Sequence, residues 1–165
     1  MLKEMKVAGI TVDPFTNTPV VILKDLEEKD VLPIWIGLLE ASSIATAIEN
    51  IQTPRPMTHD LLKNLLDNLG VKVIKIEIND LKDNTYYALI HLDVDNKRLV
   101  IDSRPSDAIA IALRTGASIF VEENVIKKSA KVDLSQKGDK VVTDTGEWED
   151  ILENLSPDDF GKYKM

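Results

Sequence analysis

The stretch that most constrains this chain is PSDAIAIALRT, residues 105–115. Ala108 to Leu113 is apolar on nearly every side, and a helix of that kind belongs in an interior. Gly116 closes it. It lies between two strand-like runs, Arg98–Ile101 and Ser118–Val121, so a sheet is at hand to enclose it. At 165 residues the chain is long enough for one domain with one substantial core.

The remaining elements follow from periodicity and turn chemistry. Residues 5–12 and 19–24 are rich in valine and isoleucine and are separated by Asp13-Pro14 and Asn17-Thr18-Pro19, which predicts an opening hairpin. Val31–Ile36 is a third apolar run, ending at Gly37. Leu38–Ile51 then reads as a helix of small and apolar residues that another element or subunit can approach closely. Leu61, Leu62, Leu65, Leu66 and Leu69 form a one-sided stripe, with Gly70 as the stop. Val71–Ile78, Thr85–Val94 and Arg98–Ile101 predict a meander with turns at Asp83-Asn84 and Asp95-Asn96. The predicted order is β-β-β-α-α-β-β-β-α-β. It is an α+β fold with three core helices on a mixed, largely antiparallel sheet.

Charge divides the chain. Seven acids and no base lie between Asp144 and Asp159, within a net charge of −8. Lys127 to Lys140 is polar and lysine-rich. We therefore expect a domain over residues 1–127, followed by a polar linker and an acidic segment over 128–165. In that segment Trp148, Ile151, Leu152 and Leu155 predict a short amphipathic C-terminal helix. The absence of cysteine excludes disulfide frameworks, thiolate nucleophiles and Cys-based metal sites. No apolar run reaches the roughly 18 residues needed to span a bilayer, so no membrane role is expected and the cytoplasm is the expected compartment. The acidic balance opposes non-specific attraction to phosphate backbones, so a nucleic-acid partner would have to be met by local arginines or metal ions.

Chemistry-bearing residues gather before two of the predicted helices. QTPRPMTHD, residues 52–60, precedes the leucine-striped helix, and DSRPSD, residues 102–107, opens the buried one. A helix start offers unpaired N–H groups and a partial positive charge. Two of the chain's four arginines, Arg55 and Arg104, lie in these segments. Arg104 and Asp107 are spaced to meet as an i,i+3 pair.

PIWIGLLEASSIATAIE, PRPMTHDLL and IDSRPSDAIAIAL, in this order and spacing, resemble the bifunctional nuclease domain family, from the first strand to about Lys128. The resemblance implies an α+β domain, often dimeric, that cleaves RNA and DNA. The residues matching the family motifs are Arg55, Thr58, His59, Asp60, Asp102, Ser103, Arg104, Ser106 and Asp107.

Phosphodiester cleavage needs an activated nucleophile and charge neutralisation at the phosphoryl oxygens. The expected catalytic residues are Asp102, Asp107 and His59, whose imidazole belongs to the class that exchanges protons near neutral pH. Arg55, Arg104, Thr58, Ser103 and Ser106 are the expected phosphate-binding groups. Asp60, Asp102 and Asp107, with Glu40 as an outside candidate, offer oxygen ligands suited to Mg2+ or Mn2+. RNA and DNA are the expected substrates, with little base specificity. A homodimer is expected on the small-residue face of the Leu38–Ile51 helix. The alternative is a non-catalytic dimeric module that binds an anion at the Arg/Asp cluster. Thr58 and Ser103 are also natural N-caps, and Asp60 and Asp107 also suit a first turn without any catalysis. His91, on a strand face with Tyr87 and Leu89, reads as structural.

Overall fold

The computed structural model describes residues 1–133. Its strands are β1 (Leu2–Val12), β2 (Pro19–Asp25), β3 (Val31–Trp35), β4 (Lys72–Lys82), β5 (Thr85–Val94), β6 (Lys97–Ser103) and β7 (Ser118–Glu122). Its helices are α1 (Leu38–Ile48), α2 (Thr58–Asn68), α3 (Pro105–Thr115) and α4 (Glu123–Asp133). The strands form one seven-stranded sheet in the order β3-β2-β1-β7-β4-β5-β6. Only β4 and β7 run parallel; the other pairs are antiparallel. The expected α+β class and mixed sheet are therefore those of the molecule.

The meander turns show how sequence sets register. β4 and β5 are joined by Asp83-Asn84, and β5 and β6 by Asp95-Asn96, all four residues at positive φ. Two-residue loops of that backbone type follow the right-handed twist of the flanking strands, and Asp and Asn tolerate it best among residues with side chains. At the far end of α3, Gly116 takes the left-handed conformation at φ 72°, and its N–H bonds to the Ala112 carbonyl.

α3 is the axis of the core. Ala108, Ile109, Ala110, Ile111 and Ala112 are buried, and the helix packs on α1, α2, β4, β5 and β7. Ile76, Ile78, Ile119, Val121, Leu23 and Ile44 complete a single cluster around it. The expectation of a helix buried on all sides holds.

Three features add to or refine these expectations. First, α1 is three residues shorter than expected, and its apolar residues Ala41, Ile44 and Ala45 are buried against the core. Leu39 on the same helix is 49% exposed. Second, α2 has the expected leucine stripe but no buried residue: Leu61, Leu65 and Leu69 are 53%, 51% and 73% exposed. Third, the boundary at residue 127 falls inside α4, whose Val125, Ile126 and Ser129 are buried. Its sequence looks polar because, among the described side chains, a narrow stripe turns inward. The predicted helix around Trp148 lies outside the described residues.

Candidate functional site

The site is built where three helices meet. α3 starts directly after β6, with Arg104 as its N-cap in extended conformation and Pro105 as its first residue. Proline suits that place, because it fixes a helical φ and lacks an N–H that would have no acceptor there. Asp107 therefore sits one turn in, within reach of Arg104. The expected pair forms, and it is bidentate: Arg104 Nε donates to Asp107 Oδ2 at 2.7 Å and Nη2 donates to Oδ1 at 3.0 Å. Arg104 Nη1 also donates to Glu40 Oε1 at 2.7 Å. One guanidinium thus bridges the first turns of α1 and α3.

His59, at the start of α2, extends the network. Its Nε2 lies 2.8 Å from Asp107 Oδ1 and its Nδ1 lies 2.6 Å from Ser43 Oγ on α1. An ionised carboxylate only accepts, so Nε2 carries the hydrogen, and in the neutral ring Nδ1 then accepts from the Ser43 hydroxyl. The ring is 13% exposed and both its nitrogens are engaged. Burial pushes the Asp107 carboxyl up, but the hydrogen bonds from Arg104 and His59 outweigh it and hold the group below its ordinary range. Asp107 and Glu40 together raise the affinity of Arg104 for its proton.

A second tie lies two turns further along α3. Arg114 Nε donates to Asp60 Oδ1 at 2.7 Å, Nη1 to the Ala110 carbonyl and Nη2 to the Ser43 carbonyl. Asp60 Oδ2 accepts the Met57 N–H at 3.0 Å, closing the first turn of α2. The hydrogen bond from Arg114 is the main reason the Asp60 carboxyl lies below its ordinary range. Adjacent residues of α2, His59 and Asp60, thus clamp the two ends of α3.

The sequence model of the bifunctional nuclease domain matches residues 21–133, which include this whole network. This chain belongs to that family. It is 36% identical over 162 residues to an uncharacterized protein of Mycobacterium tuberculosis, covering 95% of this chain and 97% of that one. It is also similar to Bifunctional nuclease 1 of Arabidopsis thaliana, 32% identical over 110 residues, and to Bifunctional nuclease 1 of Oryza sativa subsp. indica, 28% identical over 109 residues. Those matches take in 64% of this chain in each case and 34% and 33% of the respective plant proteins.

Within this bifunctional nuclease domain the candidate residues separate. Arg104, Asp107 and His59 form one connected network, and Asp60 belongs to the neighbouring tie with Arg114. Ser106 is buried behind Arg104. Ser103 donates to the Arg104 carbonyl at 2.9 Å and so shapes the N-cap turn. Asp102 is exposed on β6, opposite Leu89, and has no ion pair among the described residues. Arg55 is exposed in the α1–α2 connection, its carbonyl accepting from Thr53, and Thr58 is exposed at the start of α2. Neither Thr58 nor Ser103 is an N-cap; Met57 and Arg104 hold those positions. His91 bonds to Glu77 on the neighbouring strand at 3.1 Å, a pairing within the sheet.

Three participants were not singled out from sequence in these roles: Ser43, Arg114 as a partner of Asp60, and Glu40 as a partner of Arg104. The i,i+3 spacing of Glu40 and Ser43 on one face of α1 was the available signal. The donor set expected for Mg2+ or Mn2+ does not fit. Asp60 and Asp107 each face a different arginine, Asp102 joins neither, and no group of three metal-ligating side chains forms among the described residues. No helix among the described residues is long and apolar enough to cross a membrane.

Proposed function

We propose that this domain is a nuclease acting on RNA and DNA with little base specificity, centred on Arg104, Asp107, His59 and Ser43. The carrying observation is the chain of hydrogen bonds from Ser43 through His59 to Asp107, ending at a guanidinium whose side chain is mostly exposed. Three of the five N–H donors of Arg104 are used, leaving two for phosphoryl oxygens, where charge builds up in the transition state. The imidazole takes up the proton of the attacking water by way of the Ser43 hydroxyl as the new P–O bond forms, and Asp107 stabilises the imidazolium; the opposite P–O bond breaks, its leaving oxygen is protonated from solvent, and the imidazolium returns its proton to solvent. His59, with both nitrogens occupied, acts through Ser43 rather than on substrate directly. The family membership supports the reaction class. The proposed assembly is a homodimer seated on the exposed leucines of α2.

The test is cleavage of labelled single-stranded RNA and DNA by the purified full chain beside Asp107→Asn, Ser43→Ala and Arg104→Ala, with and without EDTA. We expect each substitution to lower specific activity per folded molecule at least about 100-fold, an effect in the range of a lost general base or charge donor. Wild-type specific activity in Asp107→Asn would end the reading. The EDTA arm tests the metal expectation separately.

A further inference from the structure

On the side of Arg104 facing the sheet lies a cavity of about 260 Å3, between the end of β3, the starts of α1 and α3, and the β4–β5 turn. Its lining includes Trp35, Glu40, Asn84, Tyr86, Arg104 and Ser106. We propose that it receives the base of one nucleotide of a single-stranded nucleic acid whose phosphate meets Arg104. The proposal rests on the nuclease reading above and adds the part of the substrate that is recognised.

Four observations favour a base over a bare anion. Both aromatic walls are held by their polar tips: Trp35 Nε1 donates to Asp13 Oδ2 at 3.0 Å, and Tyr86 Oη donates to the Pro33 carbonyl at 3.2 Å. The indole is 37% exposed, so a fixed aromatic surface is available for stacking. Ser106 is only 6% exposed, lines the cavity, and has no hydrogen-bond partner among the described residues. Its hydroxyl is therefore free to bond a polar group of a ligand that enters the cavity. Glu40 Oε1 is taken by Arg104 while Oε2 has no hydrogen bond, and it lies 2.2 Å from where a Cβ on Gly37 would stand. Glycine at 37 therefore keeps the carboxylate in the cavity wall. That free oxygen repels a phosphate and accepts the amino hydrogens carried by adenine, cytosine and guanine.

The arrangement also selects for strand state. A base paired within a duplex cannot leave its stack to enter a recess of this size without the cost of flipping. Stacking tolerates every base, so the recess is compatible with low sequence preference.

Trp35 and Trp148 are the only tryptophans, so Trp148→Phe in the full chain leaves Trp35 as the sole indole reporter. Its emission is followed on addition of adenosine 5′-monophosphate, ribose 5-phosphate or inorganic phosphate, and of one oligonucleotide as single strand and as duplex. We expect saturable quenching by the nucleotide, none by ribose 5-phosphate or phosphate, and at least tenfold weaker binding of the duplex. By calorimetry Trp35→Ala should weaken nucleotide binding about tenfold or more, Ser106→Ala severalfold, and Trp35→Phe little, with circular dichroism confirming that each variant is folded. Equal binding of phosphate and nucleotide, or no saturable quenching at millimolar nucleotide, overturns the proposal. Binding at Trp35 without cleavage sensitive to Asp107→Asn would keep the recess and remove the nuclease reading; cleavage without that binding would do the reverse.

Discussion

α2 and α3 are both eleven residues long and touch each other, yet they solve opposite problems. α3 has alanine alternating with isoleucine and leucine along its centre, and those central residues are wholly enclosed. α2 separates leucines from Lys63, Asn64, Asp67 and Asn68 more sharply than the other described helices, and Leu61, Leu62 and Leu65 stay exposed. Amphipathic periodicity identifies a face. It does not identify what covers the face. Alanine permits close approach on every side, so α3 can be surrounded; α2 is fastened mainly at its first turn, by His59 and Asp60, while Leu61, Leu62 and Leu65 stay exposed.

Three substitutions sharpen the contrast, beginning with the largest. Ile109→Ala in α3 opens a void in a fully buried place and should cost about 2–5 kcal/mol, read as a lowered chemical-denaturation midpoint. A loss under about 1 kcal/mol would mean that α3 is not the axis of the core.

Arg114→Ala removes the fastening between the two helices. The guanidinium side chain is 7% exposed, whereas Asp60 is more open, so the penalty of a buried broken pair applies only in part and we expect about 1–3 kcal/mol at neutral pH. Because Asp60 has a folded-state pKa below its unfolded one, its share of stability is present above about pH 4 and is lost as pH falls through the folded value. The gap between wild type and Arg114→Ala should therefore narrow on acidification. A gap that widens below pH 4 would contradict the pairing.

The smallest effect on the fold is expected from Leu65→Lys in α2, within about 0.5 kcal/mol, since its leucine is half exposed. Its effect on assembly should be total: light scattering at micromolar concentration should give twice the chain mass for wild type and a single chain for the variant. A monomeric wild type would remove the dimer and leave the leucine face without an occupant.

The same contrast explains what was legible in the sequence. Turns were, because Asp83-Asn84 and Asp95-Asn96 carry a local conformational demand that neighbours scarcely alter. So were the extents of α2 and α3, and the Arg104–Asp107 pair, whose partners are three residues apart. What depends on juxtaposing distant segments was not. Glu40 and Arg104 are 64 residues apart and Ser43 and His59 sixteen, and nothing in either local pattern names the other. Trp35 stood inside a recognised motif, but its meaning comes from the β4–β5 turn brought beside it. α4 was missed because its lysines stand out in the composition, while Val125, Ile126 and Ser129 are its inward-facing residues among the described side chains.

The place of β7 in the sheet has a consequence for synthesis. β3-β2-β1 and β4-β5-β6 are two three-stranded ladders, and among the described residues, 118–122 supply the backbone hydrogen bonds that join them. The first strand made, β1, gains its second partner only when β7, the last strand described here, has been made, and it has an open edge throughout that interval. Growing chains shorter than about 120 residues carry both ladders unjoined, and such unpaired edges are where nascent chains engage chaperones or one another. Once β7 arrives, the amide of Glu123 bonds to the carbonyl of Met1 and the terminal ammonium meets Glu122, so the strand that finishes the sheet also fastens its beginning.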